Sequence, residues 1–487
     1  MRTPALPGRI LMLGCGSIGQ ALLPMLIRRF SDDVSRFTVL AADEDGRPFC
    51  ERLGVSFRRE PLNRENFRRV LGSLLRSGDL LVNVSVGVGS REVARFCSRR
   101  DILYVDTSIE VWDGAGQPNG ADHLANSNYV MRESVLALKR ELGESGTAVM
   151  DHGANPGLVS HFFKRALLDL AAREGIRSEP RTRNDWARLA RRLDVRLVQI
   201  AERDSQREST NKPADEFVNT WSVPGFTFEL LQPAELGFGT HERWLPDDAR
   251  RHAQGSRSGI LLQRPGVETY VRSWVPSVGP QQGLLISHDE TLSIADYFSV
   301  RDAGTTLYRP SVQFAYRPCA AAMRSIDEFR EARFAPHARQ RVLGSEIVAG
   351  MDELGVLVCG PAAGPYWLGS RLDIHHARAL VESSNATSLQ VAAGALAAVA
   401  WAIDNPRRGI VEPDEIDYRA ALDVALPYLG ACEGHFAEWS ALDDFERADC
   451  HDETDPWQFV NLRVDAPERD WRAISAPLIR TAENRRG

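Results

Sequence analysis

The hexapeptide Gly14-Cys15-Gly16-Ser17-Ile18-Gly19 constrains this chain more than any other feature, because of what stands on either side of it. Before it runs a compact apolar stretch, Arg9–Leu13, and after it Ile18 to Phe30 carry apolar groups at helical spacing. Strand, glycine turn and helix in that order make a phosphate cradle. Gly14 permits the tight turn, Gly16 lets the backbone approach a pyrophosphate, and Gly19 allows close helix–strand packing. The glycine pattern alone is weak evidence; with both flanking elements of the right type it predicts a dinucleotide site.

The alternation continues downstream. Phe37–Ala42 reads as the next strand and ends at Asp43, about 24 residues beyond Gly19, where a carboxylate binds adenosine ribose hydroxyls and repels a 2′-phosphate. That favours NAD. Arg47 keeps NADP open, and Glu44 competes with Asp43 as the ribose ligand. Asp79–Val84, Ile102–Val105 and Thr147–Met150 are further buried-strand patterns with helical segments between them. The expected fold is therefore an α/β Rossmann fold, a doubly wound parallel sheet, whose ligands bind beyond the strands' carboxyl ends. The candidate cofactor contacts lie there: Gly14, Gly16, Ser17, Ile18, Gly19, Asp43, Ser85, Asp106, Thr107, Ala154, Asn155 and Pro156.

The 487 residues exceed one ordinary core, so more than one domain is expected. Residues 1–157 form the predicted nucleotide domain. Residues 158–380 read as a second α+β domain for substrate and dimerisation, with strands at Val195–Gln199, Thr227–Leu230, Thr269–Val275, Gly283–Ser287, Ser311–Tyr316 and Val356–Val358. Residues 381–487 read as C-terminal helices. The alanine-rich one near Ser388 is expected to pack back on the first domain, and 457–462 is a strand candidate. Ala392–Ile403 is apolar but shorter than a membrane span, and no signal peptide opens the chain.

Fifty-nine basic and 66 acidic residues are spread along the chain, which argues against a nucleic-acid surface, as do the acidic breaks within Arg181–Arg192 and Arg330–Arg341. Seven cysteines without CxxC spacing fit a reducing cytoplasm. No metal site is expected, since the adjacent His375 and His376 have no accompanying ligand pattern.

Hydride transfer on a cationic substrate needs carboxylates, aromatic faces and a proton shuttle. Loop and strand-end candidates are Glu110, Trp112, Asp113, His152, Asn155, Glu202, Trp221, Glu229, Glu235, His288, Glu290 and Asp352. The most informative stretch is Asp151-His152-Gly153-Ala154-Asn155-Pro156-Gly157, a polar loop between glycines at the edge of the predicted cleft.

Taken together, GCGSIG at 14–19, YVDTSIEVW at 104–112, DHGANPGLVSHF at 151–162, NTWSVPGF at 219–226 and YWLGSRLDIHHAR at 366–378 resemble the bacterial homospermidine synthases, relatives of the saccharopine dehydrogenases. The resemblance implies a redox-neutral aminoalkyl transfer with NAD retained. Putrescine is oxidised, with spermidine as an alternative aminobutyl donor; a second putrescine displaces ammonia from the oxidised putrescine; the imine is reduced to homospermidine. It also implies a homodimer and an acidic pocket of Glu110, Asn155, Glu202, Trp221, Glu229, His288, Glu290 and Asp352. Trp221 would face a cationic imine, and Glu353 competes with Asp352. The base stays open among Glu110, Glu202 and His288. Two alternatives remain. One is a dehydrogenase of a carboxylate-bearing amine, served by Arg203, Arg264, Arg272 and Arg309; the other is a nucleotide-binding sensor without turnover.

Overall fold

Seven parallel strands build the first sheet of the computed structural model, which describes residues 8–31, 33–112, 127–443 and 452–464. In chain order its first six strands are β1 (Ile10–Leu13), β2 (Phe37–Ala41), β3 (Ser56–Arg59), β4 (Leu80–Asn83), β5 (Leu103–Asp106) and β6 (Ala148–Val149). Spatially they run β6-β5-β4-β1-β2-β3, so the order reverses beside β1, where open α/β sheets bind ligands. β1, β4 and β5 are buried along their whole length, as apolar strands covered on both faces must be. β3, absent from the sequence reading, is an edge strand of largely exposed residues, so no apolar run announces it.

The seventh strand, Ile410–Val411, comes from far along the chain and pairs with β6. It follows the helix Ala386–Asp404, which packs against the glycine-loop helix Ser17–Phe30. By length and composition that helix is apolar enough to cross a membrane, yet 89% of its most apolar window is buried inside the molecule. Its small residues serve close approach. A Cβ on Gly394 would stand 2.0 Å from the Gly153 carbonyl oxygen, so the helix supports the 151–157 loop at backbone contact.

The second sheet has eleven strands around β7 (Leu197–Asp204), which pairs in parallel with Ser311–Arg317 and antiparallel with Met351–Cys359. The segment beyond 381 divides between the two sheets. Ile410–Val411 joins the first, while Ala431–Phe436 and Arg463–Val464 join the second, where helices were expected. Two strand expectations fail. Thr227–Leu230 lies inside the helix Val223–Leu231, started by a Ser222 cap and Pro224 in its first turn. Within 457–462, residues Phe459–Leu462 form a short helix, and the strand comes just after it.

Candidate active site

On the nucleotide side the site is made of backbone. Gly14 has φ of +89°, and a Cβ there would lie 2.8 Å from the Val84 carbonyl oxygen. Gly19 packs as tightly on Gly14, whereas a Cβ on Gly16 would meet nothing within 4 Å. Gly16 caps the helix Ser17–Phe30 without a side-chain hydrogen bond, so its first N–H groups point into the open space that Gly16 leaves. These features fit a bound pyrophosphate, with Ser17 and Ile18 in the first helical turn. Asp43 is exposed beyond β2 and accepts the Asp45 N–H at 3.0 Å. Arg47 is ion-paired with Glu44 and lies over the Phe57 ring, so both residues beside Asp43 already have partners.

The later strand ends complete this wall. Ser85 is half-buried, its hydroxyl bonded to Asn83 at 2.6 Å. Thr107 stands beside Gly153. Ala154 and Pro156 are buried, and Asn155 is half-buried. Asp106 is fully buried and braces the loop from behind, accepting from the Tyr104 hydroxyl and the Asp151 N–H.

Across the cleft the site is made of side chains. Glu202 and Asp204 alternate on one face of β7; Tyr316 is in register with Glu202 on one neighbouring strand, and Asp352 with Asp204 on the other. Asn155 reaches from the 151–157 loop to donate to Glu202 at 3.5 Å, joining the two walls. Thr220 donates to Asp204 at 2.6 Å, and Thr387, on the alanine-rich helix, donates to Asp352. Burial and then the neighbouring Asp204 push the Glu202 carboxyl up to about 8. Burial raises Asp204 to about 6, and burial with Glu202 holds Asp352 well above the usual carboxylate range. Glu353 points to the opposite face, where it pairs with Arg371 at 3.0 Å, which leaves Asp352 as the strand's contribution.

His288 sits between two acids, with Nε2 3.1 Å from Glu229 and Nδ1 3.3 Å from Glu290. Burial opposes its charge, but Glu290 and Glu229 overcome it and hold the imidazolium well above its ordinary pKa. His288 and Glu290 stand at a helix start. His288 is the N-cap of the helix Asp289–Tyr297, and Glu290 lies in the first turn. Behind them Asp289 is raised to about 8 by burial and Glu235, and burial and Asp289 hold Asp151 well above the usual carboxylate range. Glu235 accepts from Ser287 at 3.4 Å and faces His252 at 3.4 Å.

The remaining candidates separate. Glu110 accepts from the Gly87 N–H and the Ser108 hydroxyl, both at 3.3 Å, on the nucleotide wall. The half-buried Trp221 donates to the Tyr316 hydroxyl at 3.3 Å and packs on Phe226. Trp112 is a core residue, its ring 5.1 Å from Phe67. His152 is buried against His161, Nε2 to Nε2 at 2.9 Å, and burial lowers it to about 4; it is a packing pair, not a shuttle. Asp113 and Cys450 lie outside the described residues. His375 and His376 are exposed on a helix capped by Asp373. Sequence reasoning missed Asp204, Tyr316 and Asp289. The first was detectable from its two-residue offset from Glu202; the other two gain meaning only from strands and helices distant in sequence.

With this geometry in view, comparison with known proteins is direct. The saccharopine dehydrogenase NADP binding domain matches residues 10–150, and the saccharopine dehydrogenase C-terminal domain matches 153–436. The homospermidine synthase of Blastochloris viridis is 45% identical over 474 residues, covering 94% of this chain and 97% of that protein. The homospermidine synthase of Mesorhizobium japonicum is 43% identical over 473 residues, covering 94% and 96%. The crystal structure of the homospermidine synthase from Legionella pneumophila in complex with NAD is similar throughout. Its TM-score is 0.89 at 40% identity, over 94% of this chain and 98% of that one.

Proposed function

Because this chain belongs to the homospermidine synthase family, we infer that it transfers an aminobutyl group to putrescine to give homospermidine, releasing ammonia when putrescine is the donor and 1,3-diaminopropane when spermidine is. The observation that carries the reading is the acidic wall: Glu202, Asp204, Glu290 and Asp352 are all buried, and the His288 cation stands by Glu202 and Glu290. Glu202, Asp204 and Asp352 are held above their ordinary carboxylate range, burial being the main cause, and a dication relieves them.

NAD fits the glycine loop, with Asp43 exposed for the ribose and Arg47 held by Glu44 instead of standing free for a 2′-phosphate. Bound there, NAD supplies the hydride acceptor for the carbon next to the amine nitrogen and returns the hydride after the amines exchange.

The reacting amine must be neutral, and Glu202 is the group suited to take its proton. His288 is held protonated by two glutamates, and Glu110 is tied to the nucleotide wall. An acceptor near pKa 8 receives a proton from an alkylammonium near 10 at a cost of about 3 kcal/mol, against about 7 kcal/mol for an ordinary carboxylate. Asn155 fixes Glu202 against the cofactor loop. Asp352 and Asp204 anchor the distal ammonium, and the Glu229–His288–Glu290 triad serves the incoming amine. Trp221 offers a ring face to the cationic imine without a nucleophile to trap it. Burial of this wall keeps water from the aldehyde equivalent. The same reading makes the enzyme a cytoplasmic homodimer, in keeping with six free thiols among the described residues.

The test is mass spectrometry after incubation with putrescine and substoichiometric NAD. Homospermidine in many-fold excess over NAD, with ammonia one for one, is expected. NADH accumulating without homospermidine would leave a simple amine dehydrogenase. Three of the four arginines of the carboxylate-substrate alternative are engaged by the protein itself, and the fourth, Arg264, lies near Asp248. Arg309 bonds the carbonyls of Ser256 and Arg257, Arg272 those of Asn461 and Arg463, and Arg203 the Gln281 side chain.

A further inference from the structure

A cavity of about 1050 Å³ opens at the far end of the helix Asp289–Tyr297, about 12 Å along its axis from the acidic wall. Its charge is the reverse of that wall. Eight arginine and lysine side chains line it against four aspartates and glutamates, in a chain of net charge −7. Part of this charge is paired: Arg132 bonds Asp296 and Glu412, and Lys139 bonds Glu415. Arg140, Arg251, Arg257 and Arg309 have no carboxylate partner among the described residues.

Two buried groups show that this cavity is more than a charged surface. Arg132 is 2% exposed, yet its Nη1 has no hydrogen-bond partner among the described residues. Arg309 is 8% exposed and its guanidinium is satisfied by Ser299 and by backbone carbonyls alone; burial and the nearby Arg301 lower it to about 10. An unused, buried guanidinium donor among several cations without carboxylate partners suits phosphoryl oxygens in sign and in hydrogen bonding. The volume suits a molecule the size of a nucleotide, and four unmatched cations call for an anion of several charges.

We propose that this cavity is a binding site for a polyphosphate anion, distinct from the glycine-loop nucleotide site. Two sources share that chemistry, a nucleoside triphosphate and an inorganic phosphate chain. Titration calorimetry of the full chain, with NAD at saturation to fill the glycine loop, compares ATP with tripolyphosphate. Both are expected to bind. Equal affinity means the phosphate chain alone is read, and tighter ATP means the nucleoside is read as well. Combined Arg251→Ala and Arg257→Ala, both exposed, should weaken tripolyphosphate at least tenfold with homospermidine formation unchanged; Arg140→Gln is the milder second variant, expected to weaken it severalfold. No binding at 10 mM (on the order of a hundred times a useful affinity), or wild-type affinity in both variants, overturns the proposal. So does a variant that dissociates the oligomer in sedimentation while the wild type binds no tripolyphosphate, because the cavity is then an interface between copies.

Discussion

Carboxylates stand on both walls of the cleft, and exposure makes them different tools. Asp43 and Glu44 on the nucleotide side are open to solvent, and Arg47 lowers Glu44 below its ordinary value. Glu202 and Asp352 on the amine side are 4% and 0% exposed and are pushed upward. In water a carboxylate is a fixed, screened charge that tunes preference; buried among its own kind it is a proton acceptor waiting for a cation. On the proposed reading, the nucleotide wall would hold its ligand mainly by backbone shape, and the acidic wall by side-chain charge.

The largest break in this contrast should come from Glu202→Gln. It keeps the shape and the Asn155 contact but cannot accept a proton, so kcat is expected to fall about 10²- to 10⁴-fold with NAD affinity unchanged. In the wild type, Glu202 holds its proton below about pH 8 and is free to accept one above it, so kcat/KM should rise with pH through that value; the variant should lose this limb. Stability runs the other way. Between an unfolded value near 4.5 and a folded value near 8 the native state binds more protons, so this group's contribution falls as pH rises. Urea unfolding at pH 5 and pH 9 should therefore show Glu202→Gln gaining on the wild type by about 2–4 kcal/mol at the higher pH. Equal stability differences at both pH values would mean that Glu202 is ionised throughout like an ordinary carboxylate, and so only a weak acceptor for an alkylammonium proton.

A second break attacks the backbone wall. Gly14→Ala places a Cβ against the Val84 carbonyl at a φ of +89°, costing about 1–2 kcal/mol in conformation before the clash is relieved. NAD binding followed by fluorescence should weaken about 10- to 100-fold. Once NAD saturates, putrescine turnover should return to within about threefold, because no charge on the opposite wall has changed. A kcat loss that saturating NAD does not restore would show that the loop sets the amine wall as well.

These two changes also separate what the chain discloses from what it conceals. Gly14, Gly16 and Gly19 do their work within six consecutive residues, so spacing alone describes their geometry. Five strands of the parallel sheet were readable for the same reason, each being a short apolar run; β3 escaped because its edge position removes the run, and Ile410–Val411 because two residues far along the chain make no run at all. The amine wall joins Asn155, Glu202, His288, Tyr316 and Asp352 from separate elements, and single acids in loops look alike until register aligns them. Residue type at strand ends and the resemblance both singled out Glu202 and Asp352, but neither gave Asp204 or Tyr316 beside them. The helix at 223–231 was misread because its capping Ser222 and Pro224 precede a β-branched and aromatic stretch, which by local preference reads as strand.

Trp221 is a milder probe of the amine wall. Replacement by Leu keeps an apolar cover and removes the ring face, so kcat should fall about 2- to 30-fold, the span of one partly desolvated cation–π contact. NAD affinity should not move. Trp221→Phe should recover part of the loss, because a smaller ring still presents a negative face; equal losses in both variants would point to the Tyr316 hydrogen bond instead.

The smallest effect should come from the exposed acids themselves. Glu44→Ala frees Arg47 beside the ribose position and removes one negative charge from it. Were this pair buried, the switch toward NADP would be steep. Being exposed, it is screened, and surface pairs of this kind shift equilibria by less than about fivefold. The expected result is a gain in NADP use of about two- to fivefold at low salt, shrinking toward none at 0.5 M (where the screening length is roughly 4 Å), with NAD use unchanged. Kinetics with both nucleotides at two ionic strengths measure it. A gain that survives high salt would mean that the nucleotide wall desolvates its charges as the amine wall does, and the contrast between the two would then rest on shape alone.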